Sequence, residues 1–130
     1  MSWEYTFYIP HDPRATGICR RTLRDILTGH HLPTLVEPAE LLVSELIGNA
    51  IRHTDGPAAL KIRQSGRTLR LGAWDTDPTP PVVTEPQDDE SGRGLRIVHA
   101  YADDWGWFQV DRTAGKYVWC ELGTERARPR

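Results

Sequence analysis

One segment, ELLVSELIGNAIRHT at residues 40–54, restricts the fold more than any other part of the chain. At about 100° per residue its apolar side chains share one broad face, which predicts an amphipathic helix from about Pro38 to His53 with that face in the core. The face consists of Ala39, Leu42, Val43, Leu46, Ile47 and Ala50. Glu45, Asn49 and Arg52 form a polar stripe, which we place on the opposite side. Any solvated helix has such a stripe, so by itself it indicates no function.

The remaining elements predict an α/β fold of the two-layer α+β sandwich type. Alternation in WEYTFYI predicts a strand, and Asp12 as N-cap, Pro13 at the first helical position and Gly29 at the end predict a first helix. After the second helix come strands AALKIRQ and RTLRLGAWD with a tight turn at SGR, a short helix RGLRIVHAYAD, and strands WGWFQV and KYVWCEL. This order predicts a mixed, mostly antiparallel sheet with helices on one face.

Length and composition predict one cytoplasmic domain. The 130 residues suffice for one core, and we predict a single domain at residues 1–123 with a polar tail at 124–130. The net charge of −2 gives no basic field for nucleic acid, and no apolar run approaches the ~20 residues that span a bilayer. The N-terminus lacks the pattern of a signal peptide. Cys19 and Cys120 are far apart, which predicts buried, reduced thiols.

Two further segments give the polar stripe a possible meaning. One strand ends in Asp75, and SGRGL places Gly92 and Gly94 on either side of Arg93 at the start of a helix. Glycines at a helix N-terminus let backbone N–H groups approach a phosphate, whose charge the helix dipole favours. Between the two segments, residues 76–92 form a loop with four prolines and three consecutive acids. Loops of this length are often functional or disordered, and we predict a lid that nucleotide orders.

Taken in order, ELIGNAIRHT, WDTDP and SGRGLRIV resemble the N-box and the two glycine boxes of one ATPase superfamily. It includes DNA gyrase, the heat-shock-90 chaperones, histidine kinases and the mismatch-repair ATPases. Over residues 12–122 the chain is most similar to the small anti-sigma-factor serine kinases of bacteria. The resemblance implies a histidine-kinase-like ATPase fold, ATP and Mg²⁺ as cofactors, and serine/threonine protein kinase activity. It also implies transcription regulation through sequestering a sigma factor and phosphorylating an antagonist protein, and it suggests a homodimer.

The resemblance gives each matching residue an expected role. Glu45 would be the general base that accepts a proton from the attacking hydroxyl. Asn49 would bind Mg²⁺, which accepts amide oxygens as ligands. Asp75 would accept a hydrogen bond from the adenine amino group and so disfavour GTP. The remaining nucleotide contacts would come from Arg52, His53, Gly92, Arg93, Gly94 and Leu95. A structural role near the dipole at the helix end is an equally good interpretation of His53.

Three departures from the superfamily pattern leave an alternative open. Asp77 and Thr79 occupy positions that are usually glycine, and the loop is short with acids at 88–90. The loop also has no lysine, so cationic contacts to the phosphates would have to come from Arg93 or Arg96. The alternative function is therefore a non-catalytic ATP-binding module that acts through protein contacts. A regulatory domain without nucleotide would make the order of the motifs a coincidence.

Overall fold

The computed structural model describes residues 2–81, 93–110 and 115–125. The elements are β1 (Trp3–Ile9), α1 (Ala15–Gly29), α2 (Val36–His53), β2 (Ala58–Ser65), β3 (Thr68–Asp75), α3 (Arg93–Tyr101), β4 (Asp104–Val110) and β5 (Gly115–Gly123). A short 3₁₀ turn, Pro33–Leu35, leads into α2. Each predicted helix and strand is present, with ends displaced by a few residues.

The start of α1 differs from the prediction. Arg14, and not Asp12, is the cap residue, and the helix begins at Ala15 with no side-chain cap hydrogen bond. Asp12 instead closes a turn before the helix, because its carboxylate accepts the Arg14 N–H at 2.9 Å and the Arg14 guanidinium at 2.7 Å. This side-chain hydrogen bond lowers the pKa of Asp12 to about 2. The helix ends at Gly29, as predicted.

Within the described ranges, the five strands form one sheet in the order β1-β2-β3-β5-β4. The prediction of a mostly antiparallel sheet is confirmed, and each of the four strand pairs is antiparallel. Gly66, with φ of 60°, forms the turn between β2 and β3, because glycine adopts this left-handed conformation without strain. Asp75 is the last residue of the central strand β3, where it pairs with Ala58 of β2 and Lys116 of β5.

The core lies between the sheet and the helices. The predicted apolar face of α2 is confirmed, since Ala39, Leu42, Val43, Leu46, Ile47 and Ala50 are all buried. Burying a side chain of the size of leucine contributes about 1.5–3 kcal/mol, so this face determines how α2 sits on the sheet. On its other sides α2 contacts α1 and α3.

Two other sequence expectations concern the cysteines and the membrane. Cys19 and Cys120 are both buried free thiols, as predicted. Burial raises the pKa of Cys19 to about 11 and that of Cys120 to about 12. None of the described helices combines the length and the apolar character that crossing a membrane requires.

Candidate functional site

The three candidate residues on the stripe of α2 differ in exposure. Asn49 is only 5% exposed, Glu45 is half-buried, and Arg52 is exposed. The interpretation that all three lie opposite the core is therefore wrong for Asn49. Asn49 follows the buried Leu42 by seven residues, and two helical turns return a side chain to within about 20° of the same direction. Asn49 thus lies at the edge of the apolar face, where a polar side chain is partly enclosed.

The amide of Asn49 is a nearly buried polar group with unused hydrogen-bonding capacity. In the part of the chain that the structure describes, its side chain has no hydrogen-bond partner. Every fully buried side-chain nitrogen or oxygen of the described residues has a hydrogen-bond partner. Because the amide of Asn49 has none, it must still be in contact with solvent. Leaving such a group unpaired in a protein interior costs about 1–3 kcal/mol. An enclosed amide that opens outward is therefore suited to bind a ligand or a hydrated cation.

Asp75, at the end of β3, is 2% exposed and holds a buried ion pair. Its Oδ1 accepts the Lys116 Nζ at 3.0 Å and the Asp77 N–H at 2.9 Å. Burial raises the pKa of the Asp75 carboxyl above its ordinary value, and the hydrogen bond from Lys116 opposes this rise. Both hydrogen bonds end on the same oxygen. Within the described ranges, Oδ2 has no hydrogen-bond partner and keeps its accepting capacity.

Lys116 is a site residue that the sequence interpretation missed. It is 2% exposed and also donates to the Asp77 carbonyl oxygen at 3.1 Å. A sequence signal exists, because Lys116 is in phase with Val118 and Cys120 along β5, and alternate residues of a strand face the same side. A lysine on the inward face of a strand indicates a buried cation that needs an anionic partner. Which anion it meets depends on the pairing of β5 with β3.

The segment after β3 is held by side-chain hydrogen bonds and contains no glycine. Asp75 accepts the N–H of Asp77, and Asp77 accepts the N–H of Thr79, each at 2.9 Å. Such Asx turns mimic backbone turns. Among the described residues, His31 is the single non-glycine residue with positive φ, so Asp77 and Thr79 need no glycine-type conformation. The departure from the glycine box therefore imposes no backbone strain.

A second contact joins the end of α2 to the end of β3. The hydroxyl groups of Thr54 and Thr76 lie 2.5 Å apart, and Thr54 also accepts the N–H of Gly56 at 3.0 Å. Thr54 is the cap residue of α2, and Thr76 follows Asp75 directly. Because Asn49 lies five residues before Thr54, about 8 Å along the helix axis, this bond brings Asn49 and Asp75 to the same region.

The candidate phosphate site is described only in part. Helix α3 begins at Arg93, as predicted, and Leu95 is 3% exposed. Gly92 and most of the predicted lid, residues 82–92, lie outside the described residues, and for Arg93 and Gly94 the structure describes only the helical backbone. The side chain of His53 also lies outside the described residues. The roles of these residues and of the lid stay predictions.

The donor set of the described residues fits a magnesium ion held by few protein ligands. The described ranges contain no group of three or more His, Cys, Asp or Glu side chains that could together hold a metal ion. Magnesium usually keeps several waters and takes one or two protein ligands beside substrate phosphates. The outward-opening amide of Asn49 agrees with that mode of binding.

Comparison with known protein families gives one match. The family model of the histidine kinase-like ATPase domain matches residues 9–120, which is most of the chain. The protein belongs to this family, and the α+β fold with an antiparallel sheet agrees with it. Family membership implies ATP binding. Comparison with curated proteins gives no match.

Proposed function

We propose that this protein is an ATP-dependent serine/threonine protein kinase of the anti-sigma-factor type. The observation that carries the proposal is the pair Asn49 and Asp75, two buried polar side chains with unused bonding capacity in a histidine kinase-like ATPase domain. A domain without a polar ligand would be more stable with an apolar residue at position 49, because an enclosed amide without a hydrogen-bond partner costs free energy.

Each described residue has a definite task in this proposal. Asn49 offers its amide oxygen to Mg²⁺, and Oδ2 of Asp75 accepts a hydrogen bond from the adenine amino group. Glu45 lies one turn before Asn49 on the half-buried part of the stripe, where it accepts the proton of the attacking hydroxyl. Bound Mg²⁺ neutralises phosphate charge. The first turn of α3, which contains Leu95, offers backbone N–H groups to the phosphates.

The proposed partners follow from the resemblance to the anti-sigma-factor kinases. The protein sequesters a sigma factor and phosphorylates a serine or threonine of an antagonist protein, and it does so in the cytoplasm, as a homodimer. None of these functions requires direct contact with nucleic acid or with a membrane.

The alternative is a non-catalytic ATP-binding module that acts through protein contacts alone. Asp77 and Thr79 favour it, because they replace glycines at the edge of the site. Against it, the segment containing them is ordered by its own hydrogen bonds and leaves Oδ2 of Asp75 without a partner in the described part of the chain. The two functions make the same prediction for ATP binding and differ in phosphate transfer.

Isothermal titration with ATP and MgCl₂ tests the binding function common to both. We expect saturable binding that Asn49→Ala weakens in the presence of Mg²⁺ and changes little in EDTA. Ser44→Ala is a matched control, since Ser44 is half-buried on the same helix and its hydroxyl donates to the carbonyl oxygen of Glu40. If millimolar ATP does not bind to the folded wild-type protein, the proposed function is wrong.

Phosphate transfer separates the kinase from the binding module. ATP labelled in its γ-phosphate is incubated with the protein and candidate antagonist proteins. Glu45→Ala should keep ATP affinity and lose transfer by about 10²–10⁴-fold, the usual contribution of a general base. Glu37→Ala, on the exposed first turn of α2, should leave transfer unchanged. If Glu45→Ala and Glu37→Ala transfer phosphate equally well, the proposed role of Glu45 fails.

A further inference from the structure

Lys116 is the buried charged group of this site that no role assigned so far explains. Its side chain and that of Asp75 are each 3% exposed. A buried ion pair is weak support for stability, because replacing both partners by apolar residues is often neutral or stabilising. The position of the pair, at the end of β3 where the adenine amino group is expected, suggests a functional reason for it.

The hydrogen bonds of Lys116 fix the orientation of the Asp75 carboxylate. Nζ binds Oδ1 at 3.0 Å and the carbonyl oxygen of Asp77 at 3.1 Å. The Asp77 N–H binds the same Oδ1 at 2.9 Å. Two donors on one oxygen oppose rotation of the carboxylate, and among the described residues they leave Oδ2 as the acceptor without a partner. Lys116 also supplies the positive charge that keeps a buried carboxyl in its accepting, ionised form.

We propose that Lys116 is a positioning residue for nucleotide base recognition. It holds Asp75 in one orientation and one charge state, so that Oδ2 alone is presented to the exocyclic amino group of adenine. This inference rests on the proposed ATP-binding function and names a residue that determines base selectivity within it. Lys116 acts through Asp75 and needs no contact of its own with the nucleotide.

The test compares two ligands that differ in one group. ATP carries the exocyclic amino group, and purine riboside triphosphate lacks it. A hydrogen bond from a neutral donor to a carboxylate changes affinity by roughly 10–150-fold, so the wild-type protein should prefer ATP by a factor in that range. Lys116→Met should reduce this preference to about 3-fold or less at neutral pH, because a mobile or protonated Asp75 is a poorer acceptor. Affinities are measured by titration calorimetry.

The dependence of this preference on pH separates positioning from a general loss of structure. Among the described residues, the charged groups that act on the Asp75 carboxyl are Lys116 from β5 and Asp77 from the segment after β3. Without Lys116, Asp75 binds a proton more readily, and the preference of Lys116→Met for ATP should rise as the pH is raised. The preference of the wild-type protein should stay constant between about pH 6 and 8.

Two further variants serve as controls. Lys116→Arg keeps the positive charge and should recover a large part of the preference for ATP. Lys61→Met removes a partly exposed lysine of β2 and should behave as the wild-type protein. Circular dichroism of every variant shows whether it is folded, and if Lys116→Met is not folded, the comparison of Lys116→Arg with wild type at several pH values decides.

The outcomes for the two proposals are distinguishable. If the wild-type protein binds neither ligand, the ATP-binding function itself is wrong. If it binds ATP with a clear preference and folded Lys116→Met keeps that preference at every pH, the function stands and the role of Lys116 is refuted. A wild-type protein that binds both ligands equally well would also overturn the inference, since Asp75 would then not read the amino group.

Discussion

Lys116→Met also tests how the buried ion pair affects folding in the absence of nucleotide. Nζ of Lys116 lies 3.0 Å from Oδ1 of Asp75, and both side chains are 3% exposed. Methionine fills a similar volume without a charge. Asp75 then keeps the hydrogen bond from the Asp77 N–H and loses its counter-ion. The variant therefore leaves an unpaired carboxyl in the interior, which is the situation that makes broken buried pairs costly.

Protonation of Asp75 sets an upper limit on the free energy of unfolding that Lys116→Met can lose. The ordinary pKa of the carboxyl is 3.8, and each pH unit is worth about 1.4 kcal/mol, so protonating it at pH 7 costs about 4 kcal/mol. At pH 5 the same limit is about 1.6 kcal/mol. In the variant, folded Asp75 has a higher pKa than unfolded Asp75. Stability is consequently greater at low pH and falls as the pH rises through the folded pKa.

Urea unfolding followed by circular dichroism measures this difference. Relative to wild type, we expect Lys116→Met to lose up to about 4 kcal/mol at pH 7 and less than about 2 kcal/mol at pH 5. Lys61→Met is the matched control, because the side chain of Lys61 is 42% exposed and its Nζ lies 4.0 Å from Oε2 of Glu4. It should cost less than about 1 kcal/mol at both pH values, as exposed pairs do.

A double variant completes the cycle. Asp75→Asn alone leaves Lys116 without its main anion and should cost about 3–5 kcal/mol. Asp75→Asn combined with Lys116→Met removes the whole pair, so its cost should be smaller than the sum of the single costs by about 1–3 kcal/mol. If the single costs add to within about 0.5 kcal/mol, or if the cost of Lys116→Met is equal at both pH values, the pair does not act as described.

Three other results are expected. Gly115→Ala should destabilise the protein by about 1–3 kcal/mol and weaken ATP binding, because its Cβ would meet the main-chain oxygen of Asp75; thermal melts and titration measure the two effects. Cys19 and Cys120, with pKa values of about 11 and 12, should react slowly with a disulfide reagent at about pH 8 until urea unfolds the chain, because the thiolate is the reactive form. Saturating ATP with Mg²⁺ should raise the melting temperature by mass action, and GTP should raise it less if Asp75 reads the amino group.

The sequence alone determined the elements and the side that each presents to the core. The apolar residues of α2 recur with the helical period, and burying that face is so favourable that no other orientation of the helix competes. Alternation in the strands and the position of Asp75 at the end of β3 follow from equally local patterns. These features depend on neighbours a few residues away, and periodicity reports them directly.

The state of the candidate site was decided by the tertiary structure. Asn49 and Arg52 belong to one polar stripe in the sequence, yet one is enclosed and the other is exposed because Asn49 lies at the margin of the apolar face. The partner of Asp75 is 41 residues away and meets it through the register of β3 with β5. Helical and strand periods show which residues point inward. They cannot show which inward residues meet, because strand pairing is a contact between distant parts of the chain.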